Sequence, residues 1–553
     1  MTADAERKPR LVSVHERIVD KLERNAGIVA AAALLLIFVI ALGQSATKLL
    51  WYDELVTVKT ASLPHWVDVW NFYAQGLDTT GPLQSLIARV GLMLPIGAEL
   101  GSRLPFTLAY LVTCVCVFRF VRRRYPAGYA LAALFYSLNS TVFYYAIEAR
   151  AYALVLAGAS VAMVSWQSAV SGRHRTWSLI CLWLGLAFAV DAHSFAVFLF
   201  APFALAQVIL DMKHKKPDWG VWTALMMYPA GLLPVLHGQL LANKRFGASF
   251  WSQPHLRSIF RSYWDFVTGG MSYFILLFLV AIGAALLQRQ RLLRFTNEIG
   301  ARGFSRAEWV LVAMFALLPF YVVPASFTLH IYNPRYVICC NIGLIILAIA
   351  AVAEASRRSR LAGAALFASF LFVSTLNCAG NVVAGLYALA HPGLVHEQLQ
   401  ASYDNLQWVK LVEESKLPVA TDLLVLSSQL DFYASPDLQH RIVGVIDARD
   451  LKDYSQFQGS ELNFLRFSKL FSYPVSDVSH FLPEHSHFLL VEDQVKYVWL
   501  PYYLIEQQQA GNASFTCIGP DCGGSGTNVY DVQFKRLPAP PENEPNEDSI
   551  ATH

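Results

Sequence analysis

Charge is scarce in this sequence. Only 15% of its 553 residues are Asp, Glu, Lys or Arg, against 55% that are hydrophobic, a composition that excludes an ordinary soluble domain. The net charge, +3 at pH 7, is too small to support nucleic-acid binding or a polybasic membrane patch. The long apolar runs lack strand-type alternation, so they read as helices rather than barrel strands. There is no short-period repeat and no Walker, Rossmann or zinc-protease motif. Six of the eight cysteines (Cys114, Cys116, Cys181, Cys339, Cys340, Cys378) lie in or beside apolar segments, where a thiol acts as a small hydrophobe.

What the chain does have is a series of apolar runs of about 20 residues, the length that crosses a hydrocarbon core. They recur from Gly27 to about Ala390. The first, Gly27 to Thr47, is too long and too rich in Leu, Val and Ile for a cleaved signal peptide, and is expected to stay as an anchor. Basic clusters punctuate the runs. After Arg7, Lys8, Arg10, Arg17, Lys21 and Arg24 come "RFVRRR" (119–124), "GRHR" (172–175), "KHKK" (213–216), "RQRLLR" (289–294) and "RRSR" (357–360). Lysine and arginine accumulate on cytoplasmic loops. Placing every cluster inside gives about eleven spanning helices, a cytoplasmic N-terminus and an extracytoplasmic C-terminus. Outer turns then fall near 45–103, 148–152, 191–194, 241–268, 328–336 and after about 385. As one helix, Ser178 to Leu210 would run about 50 Å, too long for a core of about 30 Å. It is expected to break at "DAHS" (191–194).

The expected organisation is a cytoplasmic segment (1–26), a helical membrane domain (27–390) with a long first outer loop (45–103), an extracytoplasmic α/β domain (391–536) and a disordered, proline- and acid-rich tail (537–553). Within the α/β domain, "TDLLVLSSQ" (421–429), "RIVGVID" (441–447) and "HFLLVED" (487–493) read as strands, and residues 396–415 as helix. The polar segment "CIGPDC" holds Cys517 and Cys522. Outside the cell these form a disulfide; the alternative, a zinc half-site, has no nearby Cys/His pair to complete it.

On this topology the sparse ionisable residues collect on the outer face, and such groups at membrane depth are costly and usually functional. Asp53 and Glu54 open the first outer loop, with Asp78 and Arg103 later in it. Glu148 and Arg150 occupy the second turn, Asp191 and His193 the third, and His330, Arg335 and Tyr336 the fifth. On a helix, Asp53 and Glu54 diverge by about 100°, so their roles must differ: one enters a cavity as general base while the other orients its surroundings. Acids decorating a helix start are the plainer alternative. In "YYAIEARAY" (144–152) a helix puts Glu148 and Tyr152 on one face and leaves Arg150 available to an anion; a Glu148–Arg150 pair neutralising a buried turn is the alternative. His193 lines a cavity or serves as an ordinary interhelical histidine. "NPRY" sets Arg335 and Tyr336 at the outer end of a crossing, as an interfacial anchor or against a lipid phosphate, whose oxygens the guanidinium fork matches.

The succession "WYDELVT", "GLDTTGPLQSLIARVGL", "GAELGSRLPFTLAYL", "IEARAY", "DAHSF" and "NPRY" resembles the GT-C superfamily of polyprenyl-phosphate-sugar-dependent glycosyltransferases. Within it, the bacterial branch containing the lipopolysaccharide galacturonosyltransferases is the nearer likeness; aminoarabinose transferases and protein O-mannosyltransferases are more distant. The match covers about residues 27 to 350. Gly81-Pro82 stands where members often carry two prolines, and Ala151 where they carry one, which leaves the acceptor subgroup open. The resemblance implies a multi-pass enzyme of the cytoplasmic membrane that takes its sugar from a polyprenyl-phosphate donor. The acceptor is a lipid, glycan or protein, and the transfer inverts the anomeric carbon. It implies Asp53 as base beside Glu54, with Arg150, Arg335, Tyr336 and Arg103 toward the donor phosphate and Glu148, Tyr152, Asp78 and His193 in the cavity or on its acceptor side. A divalent metal is an open possibility, since these carboxylates show no fixed ligand spacing. The alternative is a lipid or glycolipid transporter whose charges line a pathway; the crowding of polar residues at one surface and the lack of an inverted repeat speak against it.

Overall fold

The computed structural model describes residues 16–78, 80–135, 138, 141–233, 235–246, 252–268, 271–289, 303–422, 424–447, 468, 470–471, 473–492, 499–519, 522 and 526–537. Most of the proposed tail lies outside them. The chain divides into two compact units. One comprises Met1–Thr47, His65–Leu240 and Ser252–Pro392; the other comprises Lys48–Pro64, Leu241–Trp251 and Gly393–His553.

The first unit is helical. Among the described residues six helices are long and apolar enough to cross a membrane: Ala26–Ala46, Ala98–Arg122, Ala151–Val170, Arg175–Ala192, Ser194–His214 and Arg360–Asn377. The number rises to eight if each of two bent helix pairs is one span, against the eleven or so expected; Cys340–Ala355 and Ala379–Ala390 are apolar but shorter. In the pair Arg306–Ala316 and Leu318–Ser326 the axis bends by 46°. Pro319 sits in the first turn of the second helix, where its missing N–H costs nothing but its ring breaks the preceding ladder. The Ser178–Leu210 run does break within "DAHS": one helix ends at Ala192, His193 adopts an extended backbone, and a short 3-10 turn, Ser194–Leu199, leads into the next.

Small residues let neighbouring helices approach. A Cβ on Gly158 would lie 2.4 Å from the Gly185 carbonyl oxygen, and one on Gly185 would lie 2.8 Å from that of Gly158. In lipid, such close backbone contact replaces the hydrophobic drive that water supplies elsewhere. The basic clusters are tied down by acids. Arg122 pairs with Glu23 at 2.9 Å and Arg360 with Asp20 at 2.8 Å. The hub is Glu308, 1% exposed: it accepts from Arg124 at 2.8 Å and Gln167 at 2.6 Å while completing a capping box with Ser305, so one carboxylate serves an ion pair and a helix start together.

The second unit carries a six-stranded sheet: β1 (Val419–Thr421), β2 (Ile442–Ile446), β3 (Val475–Asp477), β4 (His487–Glu492), β5 (Ala513–Cys517) and β6 (Asn528–Phe534), in the order β3-β2-β1-β4-β6-β5. The first four pair in parallel and β6 and β5 add on antiparallel. The strand expectation holds at Ile442–Ile446 within 441–447 and at His487–Glu492. It does not hold for "TDLLVLSSQ", where the strand ends at Thr421 and Leu424–Tyr433 is a helix. A short apolar run has no periodicity that separates the two states; here the helix packs against Tyr52–Ala61 of the same unit. Cys517 and Cys522 are disulfide-bonded.

The registers Ala420↔Leu490 and Glu492↔Asn528, continued two residues along β1 and β4, set Asp422, Glu492 and Asn528 in one row across β1, β4 and β6. All three are buried. Burial pushes the Asp422 carboxyl above the ordinary carboxylate range, against the hydrogen bonds from Glu492 and from the Leu500 N–H. A raised folded-state pKa stabilises fully below the unfolded value, about 3.9, and that contribution is lost as pH rises through the folded value. Asp422→Asn, which keeps the Leu500 contact and offers Glu492 an N–H, is therefore expected to melt a few degrees above wild type at neutral pH. The gap should shrink toward pH 4. A gap that widens on acidification in a thermal-unfolding series would contradict this assignment.

Candidate active site

Asp53 and Glu54 fall in the first turn of Tyr52–Ala61, and their side chains meet different surroundings, as neighbours about 100° apart on a helix do. Glu54 is fully buried and accepts from the Trp51 backbone N–H at 3.4 Å, closing the N-terminus of its own helix. Asp53 is only partly buried. The segment is held by its own unit: the Leu50 N–H donates to the Tyr433 hydroxyl at 3.0 Å, and Lys59 pairs with Asp431 and lies 4.3 Å from the centre of the Tyr473 ring. The motif is thus positioned by residues almost four hundred places further on.

The other sequence-predicted residues lie in the helical unit. Arg150 is the N-cap of Ala151–Val170 with an extended backbone, so Glu148 and Tyr152 do not share one continuous helix as expected. Its Nη1 lies 3.6 Å from Asp78 Oδ2, both side chains nearly buried, so Asp78 is an ion-pair partner of this arginine. Gln84, which sequence reasoning passed over, organises this corner. Its Nε2 is 2.6 Å from Thr80 Oγ1, 3.1 Å from the Tyr73 hydroxyl and 3.4 Å from Asp78 Oδ2, while its Oε1 accepts from the Ala151 N–H at 3.1 Å. It lies in the apolar helix Leu83–Leu92, and its place in the sequence does not say how many partners it collects. Burial, and then the Asp78 carboxylate, push the Tyr73 hydroxyl well above the ordinary tyrosine range, which keeps it a donor.

Gly81 seats this segment on the "DAHS" turn. Its N–H donates to the Ala192 carbonyl at 3.1 Å, and a Cβ there would meet the Asp191 carbonyl oxygen at 1.6 Å. Only glycine permits that approach, which is a physical reason for Gly-Pro at this place. On the same side His193 is buried, its ring 4.7 Å from that of Tyr336 and 6.0 Å from that of Tyr152. The Arg335 guanidinium lies 5.5 Å from the Tyr152 ring centre, and both Arg150 and Arg335 act electrostatically on His193. Arg335 is set by the Asn333 cap of a 3-10 turn, Pro334–Val337. Arg103 is placed differently: it is 1% exposed and its Nη1 donates to the Ser45 carbonyl at 2.7 Å, satisfying the C-terminal turn of Ala26–Ala46. Among the described residues no three His, Cys, Asp or Glu side chains gather as metal ligands.

Two arginines and two tyrosine rings gather around a buried histidine at one end of a set of membrane-length helices, with an α/β domain following in sequence, in a multi-pass membrane protein. The fold is similar to that of ArnT from Cupriavidus metallidurans. Its structure bound to undecaprenyl phosphate aligns with 91% of this chain and 97% of its own at 14% identity and a TM-score of 0.51; its apo structure gives 0.50 over the same coverage. An oligosaccharyltransferase from Archaeoglobus fulgidus, solved with zinc and sulfate, aligns with 74% of this chain and 62% of its own at 11% identity and a TM-score of 0.38, too remote to bear on the fold. No family model matches the sequence, and no curated protein is similar to it.

Proposed function

We propose that this protein is a glycosyltransferase that moves a sugar from a polyprenyl-phosphate donor to an acceptor hydroxyl at the outer face of the cytoplasmic membrane, with inversion. The observation that carries the reading is the gathering of Arg150 and Arg335 with Tyr152, Tyr336 and His193. It occurs in a fold shared over most of the chain with a protein crystallised with undecaprenyl phosphate. A sugar on a polyprenyl phosphate carries its own leaving group, so the chain must supply two things: cations for the departing phosphate and a base for the incoming hydroxyl. Arg150 and Arg335 supply the first. Asp53 supplies the second, with Glu54 holding the helix that presents it.

In the step itself the acceptor oxygen forms a bond to the anomeric carbon as the bond from that carbon to the phosphate oxygen breaks. The electron pair leaves on polyprenyl phosphate and the acceptor proton passes to Asp53. Purified protein given a panel of labelled polyprenyl-phosphate sugars is expected to release free polyprenyl phosphate in step with glycosylated acceptor. Movement of the intact donor between leaflets of a reconstituted vesicle, without cleavage, would favour a transporter instead.

A further inference from the structure

Resting on that reading of the site, we infer that the Nε2–H of His193 is a hydrogen-bond donor to a phosphate oxygen of the polyprenyl donor. Three observations on one ring lead there. The backbone N–H of Phe195 donates to His193 Nδ1 at 3.3 Å, so Nδ1 carries a lone pair and the single proton of a neutral imidazole sits on Nε2. The side chain is 97% buried, yet Nε2 finds no hydrogen-bond partner among the described residues, and a buried polar group left so is rare enough to ask for a ligand. The ring shares its surroundings with two guanidinium groups, Arg150 and Arg335, and with the Tyr336 ring at 4.7 Å. Beside two cations a positive charge on the imidazole is disfavoured, whereas a neutral N–H aimed at an anion held by those cations is favoured.

The geometry also says what His193 does not do. With Nδ1 occupied by the Phe195 amide it has no free lone pair for a proton from the acceptor, so it is a positioning donor and leaves the base role to another group. Partly exposed Arg335 and Tyr336 form the side from which a headgroup reaches it.

The test uses the full-length protein in detergent and two probes, undecaprenyl phosphate and the matching alcohol, undecaprenol, with affinities measured for wild type, His193→Phe and His193→Gln. Wild type is expected to prefer the phosphate. If it shows no such preference, the donor reading itself fails and this inference with it. Given that preference, His193→Phe should lower affinity for the phosphate about tenfold, the scale of one hydrogen bond to a charged group, and leave the alcohol unchanged. His193→Gln, whose amide N–H can stand where Nε2–H does, should recover most of the loss. Equal weakening of both probes by His193→Phe would assign the ring to packing and overturn the inference. So would an unchanged phosphate preference in that variant, or a glutamine variant no better than phenylalanine.

Discussion

Asp53→Asn is expected to slow sugar transfer by about 10²–10⁴-fold, the range a positioned general base contributes, while donor binding and the folded state stay as in wild type. Asn has the shape of Asp and keeps the polar first turn of Tyr52–Ala61, so the variant removes basicity and little else. The adjacent acid provides the control. Glu54 is buried against the start of its own helix and accepts from Trp51, so Glu54→Gln, which retains an acceptor oxygen, should cost stability on the scale of a weakened cap, about 1 kcal/mol, and act on turnover only through that. Single-turnover rates with the donor already bound would separate the two. Turnover unchanged in Asp53→Asn removes Asp53 from the base role; a larger loss in Glu54→Gln exchanges the assignments.

The second large effect belongs to Arg150. Arg150→Met should reduce kcat/KM by about 10²–10³-fold, as loss of one preorganised group facing developing negative charge does. Arg150→Lys should recover little of it, because a point charge does not reproduce the guanidinium fork. Asp78→Asn tells a phosphate-binding arginine from a structural one. Asp78 faces Arg150 at 3.6 Å; were the pair only a device for neutralising a buried corner, removing either partner would do similar damage. If Arg150 addresses the donor, Asp78→Asn leaves the cation in place and lowers kcat/KM far less than Arg150→Met. Matching losses in the two variants would move Arg150 into the scaffold.

Much of this was legible in the residues. The run from Ser178 to Leu210 had to break because a helix of that length overreaches the membrane, and the break falls at His193. Asp53 and Glu54 had to diverge because neighbours on a helix do. Gln84 and Glu308 were not legible, because a single polar residue in an apolar segment does not announce how many partners it will collect. Arg103 looked equivalent to Arg335 in sequence; its commitment to the Ser45 carbonyl depends on which helices meet. The segment 421–429 reads as a strand until the helix that its residues form is seen packed against Tyr52–Ala61.

By itself the sequence determined which segments leave water and roughly where they end, since the cost of burying each side chain in hydrocarbon is a local property that adds along the chain. It also determined that a few ionisable residues are retained where that cost is high. Only the tertiary structure decided what those residues face: that Arg150 meets Asp78, that His193 turns one nitrogen to the Phe195 amide and keeps the other buried without a partner among the described residues, and that the segment leading into Asp53 is held by Tyr433. Those contacts are properties of the path the chain takes through space, and no local preference of either partner encodes them.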